Sequence, residues 1–210
     1  MFGSKVFGIA ALSGLCVLAG AGTMTFNGMD SLSESITIGG AHYNGSVNAG
    51  LMDFTESSLG DIRTFCVDLD HVISNGQTWP DTLWDSSTYP MAGIELAGNL
   101  VDADFANVTT ADEAVGLQVD IWKARYDGPA GSTPDFTTGN FTASGLTSGA
   151  LAAANTYWQD RNTVGSAVYI RSEDGAGQDQ MTVNPVPEPA SIGALVIGAL
   201  TLLRRSRKAR

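Results

Sequence analysis

The spacing of apolar residues predicts two kinds of secondary structure in the middle of the chain. Short runs that alternate in polarity or are rich in β-branched residues, separated by Gly, Asn and Ser, are typical of strands. They predict strands at 24–26, 35–38, 42–47, 51–54, 62–69, 167–171 and 180–184. Longer stretches with helical periodicity predict helices at 90–101, 110–127 and 147–160. The order of strands, helices and strands indicates an α+β fold, in which a mainly antiparallel β domain, sandwich-like or barrel-like, carries a helical insertion.

The helix predicted at 110–127 is the best defined in the sequence. Thr110 and Glu113 form a capping box at its start, and Gly128 with Pro129 ends it. Its apolar stripe consists of Ala114, Leu117, Ile121 and Trp122. Its polar face is predicted to carry Asp112, Asp120 and Lys123. Gln118 falls within the apolar stripe, where a buried carboxamide costs roughly 1–3 kcal/mol unless it is satisfied. It therefore requires either a partner on a strand backbone or a chemical role.

Both ends of the chain carry an uncharged apolar run next to basic residues. Lys5 precedes a run at 6–19, and Ala19-Gly20-Ala21 supplies the small residues of a cleavage site, so residues 1–21 are predicted to be a secretory signal peptide. A 14-residue run at 190–203, expected to be helical, precedes five basic residues. This run is shorter than the roughly 20 residues that span a bilayer comfortably. The chain is therefore divided into a signal peptide at 1–21, one exported domain at 22–185 and a C-terminal tail at 186–210.

The exported domain is strongly acidic. Between Gly22 and Pro187 lie 21 acidic and five basic residues, which give a net charge of −16. Such a surface argues against binding to nucleic acid or to anionic membranes. Asp68 and Asp70 alternate, but the pattern of a tight calcium loop does not follow them, which leaves at most weak calcium binding. One Cys and two His without ligand spacing argue against zinc, so no metal and no cofactor is predicted.

Cys66 would be the only cysteine of the exported domain, because Cys16 lies within the predicted signal peptide. An exported chain meets an oxidising environment, yet no intramolecular disulfide is available to this thiol. It is either buried and inert or committed to chemistry. His71 follows five residues later, but no signature of a cysteine hydrolase surrounds the pair.

The C-terminal tail resembles the PEP-CTERM sorting signal of Gram-negative bacteria. The resemblance is carried by Pro187-Glu188-Pro189, by the apolar run and by the basic end. It implies export to the cell envelope, the cell surface or the extracellular matrix, with transient anchoring in the inner membrane through the tail. It also implies an exosortase-type enzyme as the processing partner. An ordinary C-terminal anchor is the alternative interpretation.

Two internal segments resemble the two halves of bacterial thioester domains. Those domains carry an aromatic-Cys motif, matched by Phe65-Cys66-Val67-Asp68, and a downstream Gln-x-x-Ile-Trp motif, matched from Gln118 to Trp122. The resemblance extends over 62–127, with weaker support at 136–160. It implies an internal thioester between Cys66 and Gln118, surrounded by Phe65, Asp68, Ile121 and Trp122. Leu117 and Asp120 depart from the family pattern, which often has threonine and a small residue there. These departures bear on reactivity rather than on fold.

These features predict an exported surface or matrix protein, and more specifically a covalent adhesin. Its thioester would capture a nucleophile, such as a lysine amine or a sugar hydroxyl, on a surface protein or polysaccharide. The reaction occurs once per molecule, so the chain would be a reactive binder and not an enzyme. Two alternatives stay open: a structural exopolysaccharide- or biofilm-associated protein with an inert cysteine, and a hydrolase that uses Cys66. Trp79, Trp84 and Tyr89 could line a carbohydrate groove or belong to a satellite core near a loop.

Overall fold

The structure, a computed structural model, describes residues 21–184 of the chain. This part contains seven strands and three α-helices. The strands are β1 (Ala21–Gly40), β2 (Gly45–Glu56), β3 (Gly60–Cys66), β4 (Thr78–Asp85), β5 (Phe141–Ser144), β6 (Ala167–Ser172) and β7 (Gln180–Val183). The helices are α1 (Ile94–Asp104), α2 (Ala111–Asp127) and α3 (Ser148–Tyr157), and short 3-10 helices follow α1 at Phe105–Asn107 and α3 at Trp158–Asn162.

All seven strands belong to one sheet with the order β2-β3-β7-β6-β4-β1-β5, and every pairing is antiparallel. Because β1 also pairs with β2, the hydrogen-bonded strands return to their starting point. β1 can serve several partners because it is 20 residues long. Its first residues pair with β4 and its last residues with β5, while β2 runs along most of its length. The predicted α+β class with a mainly antiparallel sheet is therefore confirmed.

Four strands differ from the sequence prediction. The runs predicted at 42–47 and 51–54 overlap one strand, β2, which begins at Gly45. The runs at 24–26 and 35–38 are both part of β1, whose register shifts after Phe26 and after Met29 interrupt its alternation. The sequence pattern does not predict β4, which contains Pro80, or β5, which has only four residues. Pro80 lies just beyond the β4–β6 ladder, which ends at Asp81 and Ser172, so its missing N–H removes no bond from that ladder.

Alternate strand residues contribute to two hydrophobic clusters. The β1-side core includes Met24 and Phe26 of β1, and the α1-side core includes Ile94 and Leu100 of α1. Successive side chains of a strand lie on opposite faces of the sheet. Cys66 therefore belongs to the β1-side core, and its neighbour Phe65 belongs to the α1-side core. α2 contributes residues to both clusters: Val115, Val119 and Trp122 to the first, and Ala114, Leu117, Ile121 and Ala124 to the second.

α2 is covered on all sides, and this corrects part of the sequence prediction. Every residue from Ala114 to Ala124 is buried, because the helix contacts α1, α3 and the sheet. The expected polar face is wrong for Asp120, which is 0% exposed, and for Lys123, which is 7% exposed. The buried Lys123 ammonium donates a hydrogen bond of 2.8 Å to the Asp127 carboxylate. Tertiary packing thus overrides the amphipathic pattern of this helix.

The ends of α2 agree with the sequence. Thr110 Oγ1 accepts a hydrogen bond of 3.3 Å from Glu113 N, and Glu113 Oε2 accepts one of 2.9 Å from Thr110 N. The predicted capping box is therefore confirmed. Gly128 follows the helix with a φ of 76°, in the left-handed region that favours glycine.

Several predictions concern residues outside 21–184. The predicted signal peptide before Ala21, the predicted sorting motif Pro187-Glu188-Pro189 and the apolar run of the tail all lie there. Ala21, the last residue of the predicted signal peptide, is the first residue of β1 and pairs with Thr82. Within the described residues, no helix has the length and apolar character needed to cross a bilayer.

Candidate functional site

The structure brings Cys66 and Gln118 together. Gln118 Oε1 accepts a hydrogen bond of 3.1 Å from Cys66 N, and Gln118 Nε2 donates one of 2.7 Å to Cys66 O. Cys66 is the last residue of β3 and Gln118 lies in the middle of α2. Their exposed fractions are 2% and 1%, so water does not reach the pair.

The Gln118 carboxamide takes a position that β2 leaves open. Val67 N donates to Asp179 O on the β7 side, so by alternation the N–H and C=O of Cys66 point toward β2. The β2–β3 pairing, however, ends at Met52 and Thr64. A carboxamide can present one N–H and its C=O to the same partner, as a peptide group does, and therefore satisfies Cys66 where no strand continues.

The Cys66 sulfur is held by the loop that follows β3. Sγ donates a hydrogen bond of 2.8 Å to Asp68 O and accepts one of 3.4 Å from Asp68 N. Burial raises the pKa of the thiol, and the nearby Asp68 carboxylate raises it further. The indole N–H of Trp122 acts in the opposite direction and favours the thiolate. In this arrangement the thiol is protonated.

Trp122 offers a donor that nothing else uses. Its indole is 2% exposed, and across residues 21–184 its Nε1 has no hydrogen-bond partner of normal geometry. Only one other indole in this part of the chain, that of Trp79, is in the same situation. A buried N–H without a partner costs about 1–3 kcal/mol, which makes its position beside a sulfur chemically informative.

Two histidine–aspartate pairs fasten the loop at 67–71 that covers the sulfur. His71 Nδ1 lies 2.6 Å from Asp68 Oδ2, and His42 Nδ1 lies 3.0 Å from Asp70 Oδ1. The hydrogen bond to Asp68 raises the pKa of His71. Between residues 21 and 184 no hydrogen bond joins His71 to Cys66, so the geometry does not form the dyad of a cysteine hydrolase.

Tyr126 belongs to the site, although no prediction from the sequence includes it. Its hydroxyl accepts a hydrogen bond of 2.9 Å from Leu69 N, and its ring lies 4.1 Å from the ring of His42. Tyr126 follows Trp122 by one helical turn, and this i, i+4 spacing is the signal that could have identified it.

Two residues expected around the thioester face away from it. Phe65 and Ile121 belong to the α1-side core, and the Phe65 ring packs edge-on against Phe105 at 5.7 Å. Trp122 shares the β1-side core with Cys66 and packs 5.6 Å from Phe141. Phe65 and Ile121 therefore position β3 and α2, whereas Asp68 and Trp122 lie beside the Cys66 thiol.

The other candidate groups lie elsewhere. Trp79 is buried in the β1-side core, with its ring 5.9 Å from that of Phe54. Trp84 and Tyr89 are packed 5.2 Å apart, and Tyr89 also packs 4.6 Å from Tyr169. These contacts are those of a core rather than of an open groove. The described residues contain no group of three or more His, Cys, Asp or Glu side chains suited to a metal ion.

Comparison with protein-family models, with curated proteins and with solved structures finds no match to this chain.

Proposed function

We propose that this chain is an exported surface or matrix protein whose central domain forms an internal Cys66–Gln118 thioester and captures a nucleophile on a partner. The observation that supports this most is the contact between the Gln118 carboxamide and the Cys66 peptide, both of which are buried. Holding reacting groups together in one geometry supplies much of the free energy that such a reaction needs.

The proposed reaction has two balanced steps. The Cys66 sulfur attacks Cδ of Gln118; the Sγ–Cδ bond forms, the Cδ–Nε2 bond breaks, and the thiol proton leaves with the amide nitrogen as ammonia. A partner amine then attacks Cδ and forms an amide bond. The Sγ–Cδ bond breaks and a proton from the amine restores the Cys66 thiol.

Trp122 is proposed to assist the first step. Before attack, the sulfur must exchange its hydrogen bond to Asp68 O for an interaction that tolerates the thiolate. The unused indole N–H of Trp122 provides that interaction from the same core. It acts on a buried charge, where a single donor has a large effect.

The pairing of the strands also supports a proposal about the kind of β domain that this chain forms. We infer that the closed pairing of the strands makes the β domain barrel-like, with α1, α2, β5 and α3 inserted between β4 and β6. This arrangement supports a site at the junction between barrel and insertion, because Cys66 comes from one and Gln118 from the other.

Export and sorting are part of the proposal and rest on the two ends of the sequence. An exosortase-type enzyme would recognise Pro187-Glu188-Pro189, and the tail would hold the chain in the inner membrane until it is processed. The acidic domain would then face the cell surface or matrix, where a protein amine or a polysaccharide hydroxyl is the expected nucleophile.

Methylamine labelling tests the proposed chemistry. The protein is treated with methylamine and digested, and the peptides that carry Gln118 and Cys66 are analysed by mass spectrometry. We expect methylamine as an amide on Gln118 and a newly alkylatable thiol on Cys66. Cys66→Ser, which keeps a hydrogen-bond donor to Asp68 O, should take up none. Equal uptake by the wild type and this variant would contradict the proposal.

A second candidate function is favoured by a specific observation. The two hydrogen bonds of Gln118 to Cys66 satisfy its carbonyl oxygen and one of its two N–H groups, and Asp68 satisfies the thiol. These contacts suit a structural surface protein in which Cys66 is inert and Gln118 ends a strand ladder. In that case Cys66 would be alkylated in every molecule after unfolding, without any prior treatment with an amine.

A further inference from the structure

Two buried carboxyl groups lie at the end of the barrel where β1 begins. Glu56, the last residue of β2, is 1% exposed, and Asp81 in β4 is 0% exposed. Glu56 Oε1 accepts a hydrogen bond of 2.9 Å from Ser57 Oγ, and Oε2 accepts one of 2.7 Å from Leu59 N and two from Ser58, of 2.8 Å and 2.6 Å. In contrast, both carboxylate oxygens of Asp81 lack a partner within residues 21–184.

No cation of the described chain compensates this pair. The salt bridges within residues 21–184 involve neither Glu56 nor Asp81. A further carboxylate, that of Glu173, acts on Asp81, and the Arg171 guanidinium lies 3.5 Å from Glu173. Burial, Glu56 and Glu173 together raise the pKa of Asp81 to about 7. Buried carboxylates without a counter-ion are costly, so this position is suited to a positive charge.

Gly22 faces both carboxyl groups. It pairs with Asp81 across the β1–β4 ladder. A Cβ atom on Gly22 would lie 2.4 Å from Glu56 Oε1 and 3.1 Å from Asp81 Oδ1, so a side chain at this position would displace the Glu56 carboxylate. The Gly22 nitrogen is bonded to the same Cα, which puts it within about 5–6 Å of both oxygens. Opposite charges at about this separation interact strongly when they are buried.

We propose that the α-ammonium group of Gly22, formed when the leader is removed, binds between Glu56 and Asp81. Hydrolysis of the Ala21–Gly22 peptide bond would leave a carboxylate on Ala21 and an ammonium on Gly22, at the cleavage position that the sequence predicts. The neutral peptide N–H of the unprocessed chain thus becomes a cation beside two buried acids. Processing completes an ion pair that joins the start of β1 to the middle of β4 and to the end of β2. This inference is independent of the thioester.

The test measures the reactivity of the terminal amine. The full chain is expressed with its leader in a Gram-negative host and extracted in detergent, and its N-terminal peptide is identified by mass spectrometry. The amine is then acetylated at about pH 7 in the folded protein and in urea. An ion-paired amine has a pKa above its ordinary range of about 7.7–8.0, and each unit lowers the reactive fraction about ten-fold. We expect acetylation to be about ten-fold slower in the folded protein.

Burial of the amine alone would also slow its acetylation, so variants are needed to distinguish burial from the ion pair. Asp81→Asn and Glu56→Gln should each raise the acetylation rate of the folded protein several-fold. Glu95→Gln removes one charge from the exposed face of α1 and should leave the rate unchanged. Three outcomes overturn the proposal: a terminus other than Gly22, equal rates in the folded and the unfolded protein, or equal rates in the wild type and both acid variants.

Discussion

At the scale of single residues, Gln118 is expected to stabilise the fold whether or not it reacts. Its replacement by alanine leaves the Cys66 N–H and C=O buried without partners. Each such group costs about 1–3 kcal/mol, so we expect Gln118→Ala to lower the unfolding free energy by about 2–5 kcal/mol. Urea titration should be carried out in a Cys66→Ser background, where no thioester can form. The exposed Asn48→Ala is the control, with an expected change below about 0.5 kcal/mol.

Trp122 should affect the chemistry more than the stability. Trp122→Phe keeps an aromatic ring against Phe141 but removes the unpartnered indole N–H. We expect a smaller fraction of molecules to have lost ammonia. The change in unfolding free energy should be about 1 kcal/mol or less, because within residues 21–184 the N–H makes no hydrogen bond of normal geometry. Trp79→Phe, which removes the other unpartnered indole N–H, is the matched control and should leave the fraction unchanged. If the fraction of molecules that have lost ammonia is the same in Trp122→Phe as in the wild type, Trp122 contributes to the site only by packing.

At the scale of elements, the close contact between α2 and α3 depends on Gly116. A Cβ there would lie 2.8 Å from Ala150 O, 2.8 Å from the Ala153 Cβ and 2.9 Å from Ala154 N. Alanine has the better helix propensity, yet we expect Gly116→Ala to destabilise the protein by about 1–3 kcal/mol because the helices must move apart. Ala152→Gly, at an exposed position of α3, measures the propensity effect alone, expected at about 1 kcal/mol. A gain in stability from Gly116→Ala would show that the helices are not in contact there.

The sequence predicts the elements whose signals are local. The capping box at Thr110 and Glu113 identifies the start of α2, and the apolar stripe correctly turns Gln118 inward. Features that depend on tertiary packing could not be predicted from the pattern of apolar residues. The buried Asp120 resembles a surface residue in sequence, because only the contacts of α2 with α1 and α3 cover that face. Likewise, the two hydrogen bonds between Gln118 and Cys66 depend on where β2 leaves the ladder, which no local pattern encodes.

At the scale of the whole molecule, buried acids should make the fold more stable in mild acid. Burial raises the pKa of Asp104 from 3.8 to about 6 and that of Asp120 well above 3.8. The folded state then binds more protons than the unfolded state, so the unfolding free energy falls as the pH rises. For Asp104 this fall extends from about pH 4 to about pH 6, and for Asp120 it continues to higher pH. The slope reaches at most about 1.4 kcal/mol per pH unit for each group. Urea unfolding between about pH 5 and pH 8 should show this fall.

Asp120→Asn isolates one contribution to that pH dependence. Both oxygens of Asp120 lack partners among residues 21–184, so an uncharged side chain of the same shape should remove its part of the slope. The variant should be more stable than the wild type at about pH 8, and this difference should shrink steadily as the pH falls toward about 4. Asp102→Asn, at an exposed position of α1, should leave the slope as it is. The same slope in the wild type and in Asp120→Asn would mean that Asp120 ionises freely in the folded protein.

The intact mass of the purified domain tests the central claim most directly. If Cys66 and Gln118 form the proposed thioester, a fresh preparation in amine-free, mildly acidic buffer is lighter than its sequence mass by one ammonia. Cys66→Ser and Gln118→Ala each show the full mass of their own sequence. A wild-type domain of full sequence mass, with Cys66 alkylated completely after unfolding, would contradict the claim and leave the inert structural role.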